Sequence, residues 1–339
     1  MTYISKHTPA SPLVLALNGN DGWILIHRGR NEIVSLTTEE ARSIPRDGVI
    51  RRTPSTRFVA ASIEVTDRCN VRCVHCYLDG RSTPFMGADA WFGVMDKLEA
   101  EGVIWLQLTG GEPLAHPDFP QLYARAWDLG FVLTVLTNGT RLAESVITQL
   151  LADRPPFRIS VSVYGASEAT YEAVTRVKGS WKRFLSGIQS AKNAGIPLRL
   201  KVVELVENQQ ETAAMQDLAR QYGEVDLIRE IMPTLSGDRS PLVHRTSTYG
   251  CAERWKGCEA GRSVFHVLPD GRVTLCKVAR EPALSLGQLH ELPAVSVEVL
   301  REPDCCTTCP ARGDCGICPA LFRLLNASQP DACRKEVMK

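Results

Sequence analysis

The sequence predicts an α/β protein: a parallel sheet covered by helices, with a small β-rich appendage before it and a cysteine-rich segment after it. Three observations carry that reading. From Phe58 to Glu230, strand-like apolar runs alternate with amphipathic stretches. Before residue 52, short apolar runs are separated by turn signals. After Pro233 the periodicity stops, and the remaining chain carries nine of the twelve cysteines.

Taken in order, Pro12–Leu17 and Gly22–His27 read as short strands around Asn18-Gly-Asn-Asp-Gly, a hairpin-turn signal. Glu32–Leu36 is a third strand, and Thr37-Thr-Glu-Glu-Ala starts a helix with Thr at its cap and acids in its first turn. These elements make residues 1–52 an appendage. The core, 53–235, follows, with strands predicted at 58–65, 103–109, 131–137, 157–163, 197–204 and 224–230. Helices are predicted at 87–100, 118–129, 141–151, 180–193 and 208–221. In barrels built this way chemistry gathers at the C-terminal ends of strands, and the candidate motifs fall there. Thr234–Pro241 is a polar linker, and 236–339 is a cysteine-dense segment that needs staples to stay folded.

Composition narrows the function. A chain of 339 residues, 44% hydrophobic and 23% charged, is long enough for two or three domains and shows no bias toward disorder. A net charge of +1 argues against a nucleic-acid surface, and no apolar stretch reaches membrane-spanning length. Met1-Thr-Tyr-Ile-Ser lacks the apolar run of an export signal. Twelve cysteines without such a signal predict reduced thiols, metal or redox use, and a cytoplasmic location.

The chemistry-bearing motifs come next. Cys69-Asn-Val-Arg-Cys73-Val-His-Cys76 and then Tyr77 follow the first core strand. Three thiolates on one polar loop suit a cubane iron–sulfur cluster with one iron open to an outside ligand, since a fourth would close it. A zinc site would want paired knuckles; His75, between two cysteines, reads as an exposed loop residue. A disulfide framework fits poorly with a long chain that lacks an export signal. Thr109-Gly-Gly-Glu-Pro113 ends the second strand. Its glycines let the backbone approach a ligand, while Glu112 and free carbonyls can accept from an ammonium group. Leu136-Thr-Asn-Gly-Thr140 ends the third strand and reads equally as an Asn-Gly turn. Along Ile159–Gly165, alternation puts Ser160 and Ser162 on one face, as ligand contacts or as filling for a barrel interior.

The Cys69/Cys73/Cys76 spacing with Tyr77 behind it resembles the signature of the radical S-adenosylmethionine (SAM) enzymes, and the other motifs occur in that family's order over about 55–335. The resemblance implies a partial (β/α)6 TIM-like barrel and a [4Fe–4S] cluster on these cysteines, whose open iron chelates the amino and carboxylate groups of SAM. Reductive cleavage of SAM would then give a 5′-deoxyadenosyl radical. It further implies SAM contacts at Tyr77, Gly110, Gly111, Glu112, Pro113, Asn138, Ser160 and Ser162. Tyr171–Arg176 continues a characteristic stretch, which makes Arg176 a candidate for the SAM carboxylate, with a surface arginine as the plainer reading.

The later cysteines resemble the SPASM domain, which holds two auxiliary [4Fe–4S] clusters. By that resemblance Cys251, Cys258, Cys276 and Cys318 hold the nearer cluster, and Cys306, Cys309, Cys315 and Cys333 the outer one. Two residues, Gly316 and Ile317, separate Cys315 from Cys318 where the family usually has three, and Cys305 is left over. A zinc site built from Cys306, Cys309, Cys315 and Cys318 is the alternative. The appendage resembles winged-helix modules that recognise leader peptides, though it is shorter, and a cap on the barrel explains it equally. The implied function is radical modification of a ribosomally made precursor peptide by crosslink, thioether, epimerisation or oxidation. A low-potential donor such as ferredoxin or flavodoxin is implied with it. Sulfatase-type maturases carry a basic carboxylate after the third auxiliary-region cysteine; Lys277 follows Cys276 here, which argues against that activity. The same chemistry on a small metabolite is the competing reading. A non-catalytic zinc scaffold needs neither the Gly-Gly-Glu-Pro nor the serine motif. No single catalytic side chain stands out.

Overall fold

The computed structural model describes residues 13–18, 22–45, 49–53, 58–78, 83–246, 257–301 and 318–326. The expected turn at 19–21 and Cys251, Cys305, Cys306, Cys309, Cys315 and Cys333 lie outside the described residues.

Strands β1 (Leu13–Asn18), β2 (Gly22–His27), β3 (Glu32–Leu36) and β4 (Val49–Arg52) form one sheet in the order β3-β2-β1-β4. Helix α1 (Thr38–Ser43) opens with a capping box: Thr37 accepts from the Glu40 N–H, and the Glu40 carboxylate accepts from the Thr37 N–H. Strand β4 was not expected. Four residues carry too little pattern, and its parallel pairing to β1 is a tertiary event.

The core alternates as the sequence predicts. It runs β5 (Ala60–Thr66), α2 (Ala88–Ala100), β6 (Trp105–Gly110), α3 (Phe119–Asp128), β7 (Val132–Thr137), α4 (Ser145–Asp153) and β8 (Arg158–Val163). It continues with α5 (Glu168–Thr175), α6 (Ser180–Asn193), β9 (Leu198–Val203), α7 (Thr212–Arg220) and β10 (Glu224–Ile228). Strands β5 to β10 pair in parallel with their chain neighbours. Helix α5 and one later strand, β11 (Val264–Val267), are additions to the expected plan. Strand β11 joins the other side of β5 in parallel, and β12 (Val273–Thr274) pairs antiparallel with β11. Helices α8 (Leu292–Val299) and α9 (Pro319–Asn326) complete the described chain.

Register sets the interior. Ser62, Gln107, Thr134 and Arg158 fall on one tier; Glu64 pairs with Thr109 and Ser160 with Arg199 on the next; Ser162, Lys201 and Asp226 fall above. The first tier, with Trp105 and His266, lines a cavity of about 360 Å³. The sheet therefore curls into a partial barrel, with β10 and β12 at the ends of its hydrogen-bonded order. Its outer face is covered by helices with apolar residues at helical spacing, such as Phe119, Leu122, Tyr123, Ala126 and Trp127 of α3. Among the described residues no helix is long and apolar enough to cross a membrane.

The N-terminal sheet plugs the bottom of this barrel. Val14, Ala16, Ile24 and Ile26 form a second core with Ile104, Val132 and Phe157, which stand at the starts of β6, β7 and β8. Arg28, buried, donates to the Trp127 and Phe131 carbonyls at 2.7 and 3.2 Å and lies 3.9 Å over the Trp127 ring. Arg52 donates to the Glu99 and Leu129 carbonyls at the ends of α2 and α3, where a cation complements the helix dipole. The appendage thus has the geometry of a cap. Strand β3 remains an edge, with Ile33 and Val34 exposed at 49% and 54%.

Candidate active site at the barrel mouth

At the end of β5 the chain turns into the cysteine loop. Arg72 N–H donates to the Thr175 carbonyl at 2.9 Å and Val74 N–H to the Val174 carbonyl at 3.0 Å, so the end of α5 braces the loop. Cys76 N–H to the Cys73 carbonyl, 3.1 Å, closes a turn between two of the thiols. Behind the loop, buried Asp67 accepts from Thr83 N–H at 3.0 Å.

The Gly-Gly-Glu-Pro turn lies directly against this loop. Gly111 N–H donates to the Thr66 carbonyl at 2.8 Å and Glu112 N–H to the Arg68 carbonyl at 2.9 Å. A Cβ on Gly110 would meet the Thr66 carbonyl oxygen at 2.1 Å, and one on Gly111 would meet that of Arg68 at 2.4 Å. The sequence reading gave these glycines to a ligand; the close approach they permit is to the backbone leading into Cys69.

Glu112 is likewise not where ligand recognition would put it. Its carboxylate is fully buried and accepts from Leu114 N–H at 3.1 Å, Thr137 O–H at 2.7 Å and Asn138 N–H at 2.7 Å. Burial pushes it up to about 7 against those three donors. It does not line the mouth cavity, so in this structure it is a positioning group that ties the end of β7 to the Gly-Gly-Glu-Pro turn. Pro113 opens a short 3-10 turn, Pro113–Ala115, and is buried behind the cavity wall.

Asn138, so held, donates from Nδ2 to Asn70 Oδ1 at 2.8 Å and stands 3.8 Å from Cys69 Sγ. Thr140 completes the lock, donating to Asn138 Oδ1 and accepting from Asn70 Nδ2. From β8, Ser160 is buried and Ser162 half-buried, both on the inner face. Cys69, Cys73, Cys76, Tyr77, Gly110, Gly111, Asn138, Ser160 and Ser162 all line one cavity of about 210 Å³. Arg176 does not. It is exposed at the left-handed C-cap of α5, φ 55°, with its N–H on the Glu172 carbonyl, which is the plainer of its two expected places, a surface arginine. His75, expected on an exposed loop, instead lines the cavity beside Tyr164, and burial holds it down to about 4, so its ring is neutral.

The donor set fits a cluster. Cys69, Cys73 and Cys76 are free thiols. Cys69 is reachable from the mouth yet lies among protein atoms, and this burial, with the charge of Glu112, pushes it up to about 12. Cys73 is raised by burial and by the other two thiols. Three thiolates here therefore require a positive partner. Three free thiols around one cavity suit a multi-iron cluster.

The cavity residues absent from the expected set include two lysines. Lys201 of β9 and Lys277, after β12, both line the mouth. The alternation in Leu198-Arg-Leu-Lys-Val-Val203 could have pointed Lys201 inward, as it did the serines of β8. Burial lowers Lys277 to about 8, and its Nζ reaches Thr109 Oγ1 at 3.5 Å.

Three of the cysteines assigned to the nearer auxiliary cluster are described. Cys276 Sγ accepts from Ala279 N–H, and Cys318 Sγ from Leu321 N–H, each at 3.3 Å. Burial raises the Cys318 thiol, and Cys276 and Cys258 are close enough to raise it further.

Residues 63–219 match the Radical SAM superfamily. The AdoMet-dependent heme synthase of Methanosarcina barkeri is 31% identical over 201 residues, 58% of this chain and 56% of that protein, so the chain spans little more than half its length. The PqqA peptide cyclase of Rhizobium meliloti is 29% identical over 305 residues, 77% of this chain and 76% of the cyclase. The crystal structure of Streptococcus suis SuiB bound to precursor peptide SuiA is similar with a TM-score of 0.61 at 14% identity. That likeness covers 76% of this chain and 71% of the SuiB chain and is one of fold alone. Residues 63–219 are thus similar to a radical SAM domain, a likeness that supports an enzyme of that kind.

Proposed function

We propose that the protein binds SAM at the barrel mouth, against a [4Fe–4S] cluster on Cys69, Cys73 and Cys76, and modifies a peptide by hydrogen abstraction. The product would be a crosslink, thioether, epimer or oxidised residue. The observation that carries the reading is that nine residues from the C-terminal ends of β5, β6, β7 and β8 line one 210 Å³ cavity. A bound cluster supplies the electron that cleaves SAM to a 5′-deoxyadenosyl radical. The chain's own groups do the rest. Carbonyls at Gly110 and Gly111 accept from the SAM ammonium, and the Ser160 and Ser162 hydroxyls meet its ribose or carboxylate. Tyr77 and Tyr164 wall the cavity against water, and Glu112 holds Asn138 beside Cys69.

The peptide substrate is supported by the PqqA peptide cyclase, which matches over three quarters of both chains, and by the shared fold of a SuiB structure holding a precursor peptide. In this reading residues 236–339 carry the auxiliary clusters, on Cys251, Cys258, Cys276 and Cys318 and on Cys306, Cys309, Cys315 and Cys333. A ferredoxin- or flavodoxin-like donor reduces the enzyme. The exposed edge of β3 is the candidate for pairing with a leader segment, because main-chain pairing gives affinity while leaving a distant residue free to react.

The test is direct. Anaerobically reconstituted enzyme is incubated with SAM, dithionite and a short precursor peptide encoded beside it, and the peptide is weighed by mass spectrometry. A defined mass change is expected. Steady 5′-deoxyadenosine formation with every such peptide unaltered would contradict the peptide assignment.

A further inference from the structure

The mouth cavity carries two ammonium groups that form no ion pair among the described residues. Lys201 enters from β9 and Lys277 from the turn after β12. Neither forms an ion pair among the described residues, although Asp226 and Glu64 act on Lys201 and Lys277 from beyond that distance. Asp226, opposite Lys201 in register, is 3.7 Å from Arg199, which also holds Glu224 at 2.6 Å. Glu64, beside Thr109 in register, accepts through Oε2 from Arg280 at 2.6 Å and pairs with His266 at 3.1 Å. Its Oε1 is buried without a partner, yet Lys277 stays beyond ion-pair distance and reaches Thr109 Oγ1 at 3.5 Å instead. Two unpaired cations on one wall repel each other and are costly to withdraw from water, so the arrangement favours an anion between them. Lys277 also lines the deeper barrel cavity, which puts it on the floor of the mouth rather than at its rim.

We infer that Lys201 and Lys277, with the Thr109 hydroxyl, bind a carboxylate of the substrate, so that the segment presented to SAM carries an acidic side chain or a C-terminal carboxylate. The inference rests on the peptide reading above, since the carboxylate is the anionic group an unmodified peptide carries at neutral pH. Lysines act here as point charges and tolerate either carboxylate geometry.

SAM has a carboxylate of its own, and the experiment separates the two sources. Reconstituted wild type, Lys201→Met and Lys277→Met are compared by anaerobic equilibrium dialysis. The probes are SAM, decarboxylated SAM, and, with SAM present, the α-amides of N-acetylglutamate and N-acetylglutamine. Wild type should prefer the glutamate probe over its amide by about tenfold, and each methionine variant should lose most of that preference. The affinity ratio of SAM to decarboxylated SAM should stay at its wild-type value in both variants. Absence of an acid preference in wild type overturns the inference. So does a loss of SAM affinity in the variants that decarboxylated SAM does not share, which would assign the lysines to the cofactor. The wild-type comparison needs no variant, and each lysine is tested alone, so a folding failure in one leaves the question decidable. An acid preference alongside an unmodified precursor peptide supports the carboxylate floor and counts against the peptide reading only.

Discussion

Glu112→Ala separates two roles for the Gly-Gly-Glu-Pro turn: a carboxylate that meets a ligand, and one that builds the cavity. The variant leaves Leu114 N–H, Thr137 O–H and Asn138 N–H without their acceptor in a fully buried place. Each such donor costs about 1–3 kcal/mol, so a loss of roughly 3–6 kcal/mol is expected after partial relief by water from the mouth. That is a large part of the roughly 5–15 kcal/mol holding a domain folded. Glu112→Gln separates charge from shape. Its amide oxygen can serve Asn138 N–H, but its NH2 then faces both Leu114 N–H and Thr137 O–H, leaving two donors unmet at about 1–3 kcal/mol each. The pH dependence has a definite sign. Glu112 is raised from 4.5 to about 7 in the fold, so the folded state holds the proton more tightly. Its contribution is greatest below the unfolded value and is lost as pH rises toward the folded one, amounting to about 1 kcal/mol between pH 6 and 8. The glutamine variant lacks this slope, so its deficit against wild type should narrow over that window. Urea denaturation at several pH values reads the stability, and equilibrium dialysis of SAM reads the cavity. An alanine variant within about 1 kcal/mol of wild type, with unchanged SAM affinity, would refute the positioning role.

Three further outcomes follow from the same contacts. Gly111→Ala puts a Cβ within 2.4 to 2.7 Å of backbone atoms of Asp67 and Arg68, so it should displace the cysteine loop. It should cost about 1–3 kcal/mol and most 5′-deoxyadenosine formation, read by thermal melting and chromatography. Arg28→Met removes two hydrogen bonds and a stacking contact at the barrel bottom, and should lower stability by about 2–4 kcal/mol in denaturant while the folded enzyme still cleaves SAM. Changing Cys258, Cys276 and Cys318 together to Ala should lower iron from about twelve to about eight per chain, and wild-type iron near four with stoichiometric zinc would contradict the auxiliary clusters.

Local pattern revealed most of the core. Strand–helix alternation located six parallel strands because each segment's periodicity reports its own burial. The cysteine loop, both glycines, Asn138 and the serines were legible because they cluster at strand ends. What escaped depends on distant pairing. β11 joins β5 across about two hundred residues of chain, and nothing local in Val264–Val267 announces that partner. The donors of Glu112 were not legible, because its residue type says only acceptor, whereas tertiary packing decides which donors it meets. Arg176 had two readings in the sequence, and the left-handed cap in which the chain leaves α5 is what exposes it. Lys277 was noticed only as the absence of an acid, since its reach to Thr109 comes from how β12 lies on the barrel.

The central claim is that SAM cleavage belongs to the Cys69, Cys73 and Cys76 loop. The most direct measurement is 5′-deoxyadenosine formed from SAM and dithionite by anaerobically reconstituted enzyme in which all three cysteines are replaced by alanine, with iron counted on the same sample. The account predicts no 5′-deoxyadenosine while about eight iron remain in the C-terminal region. Cleavage retained by that variant would contradict it.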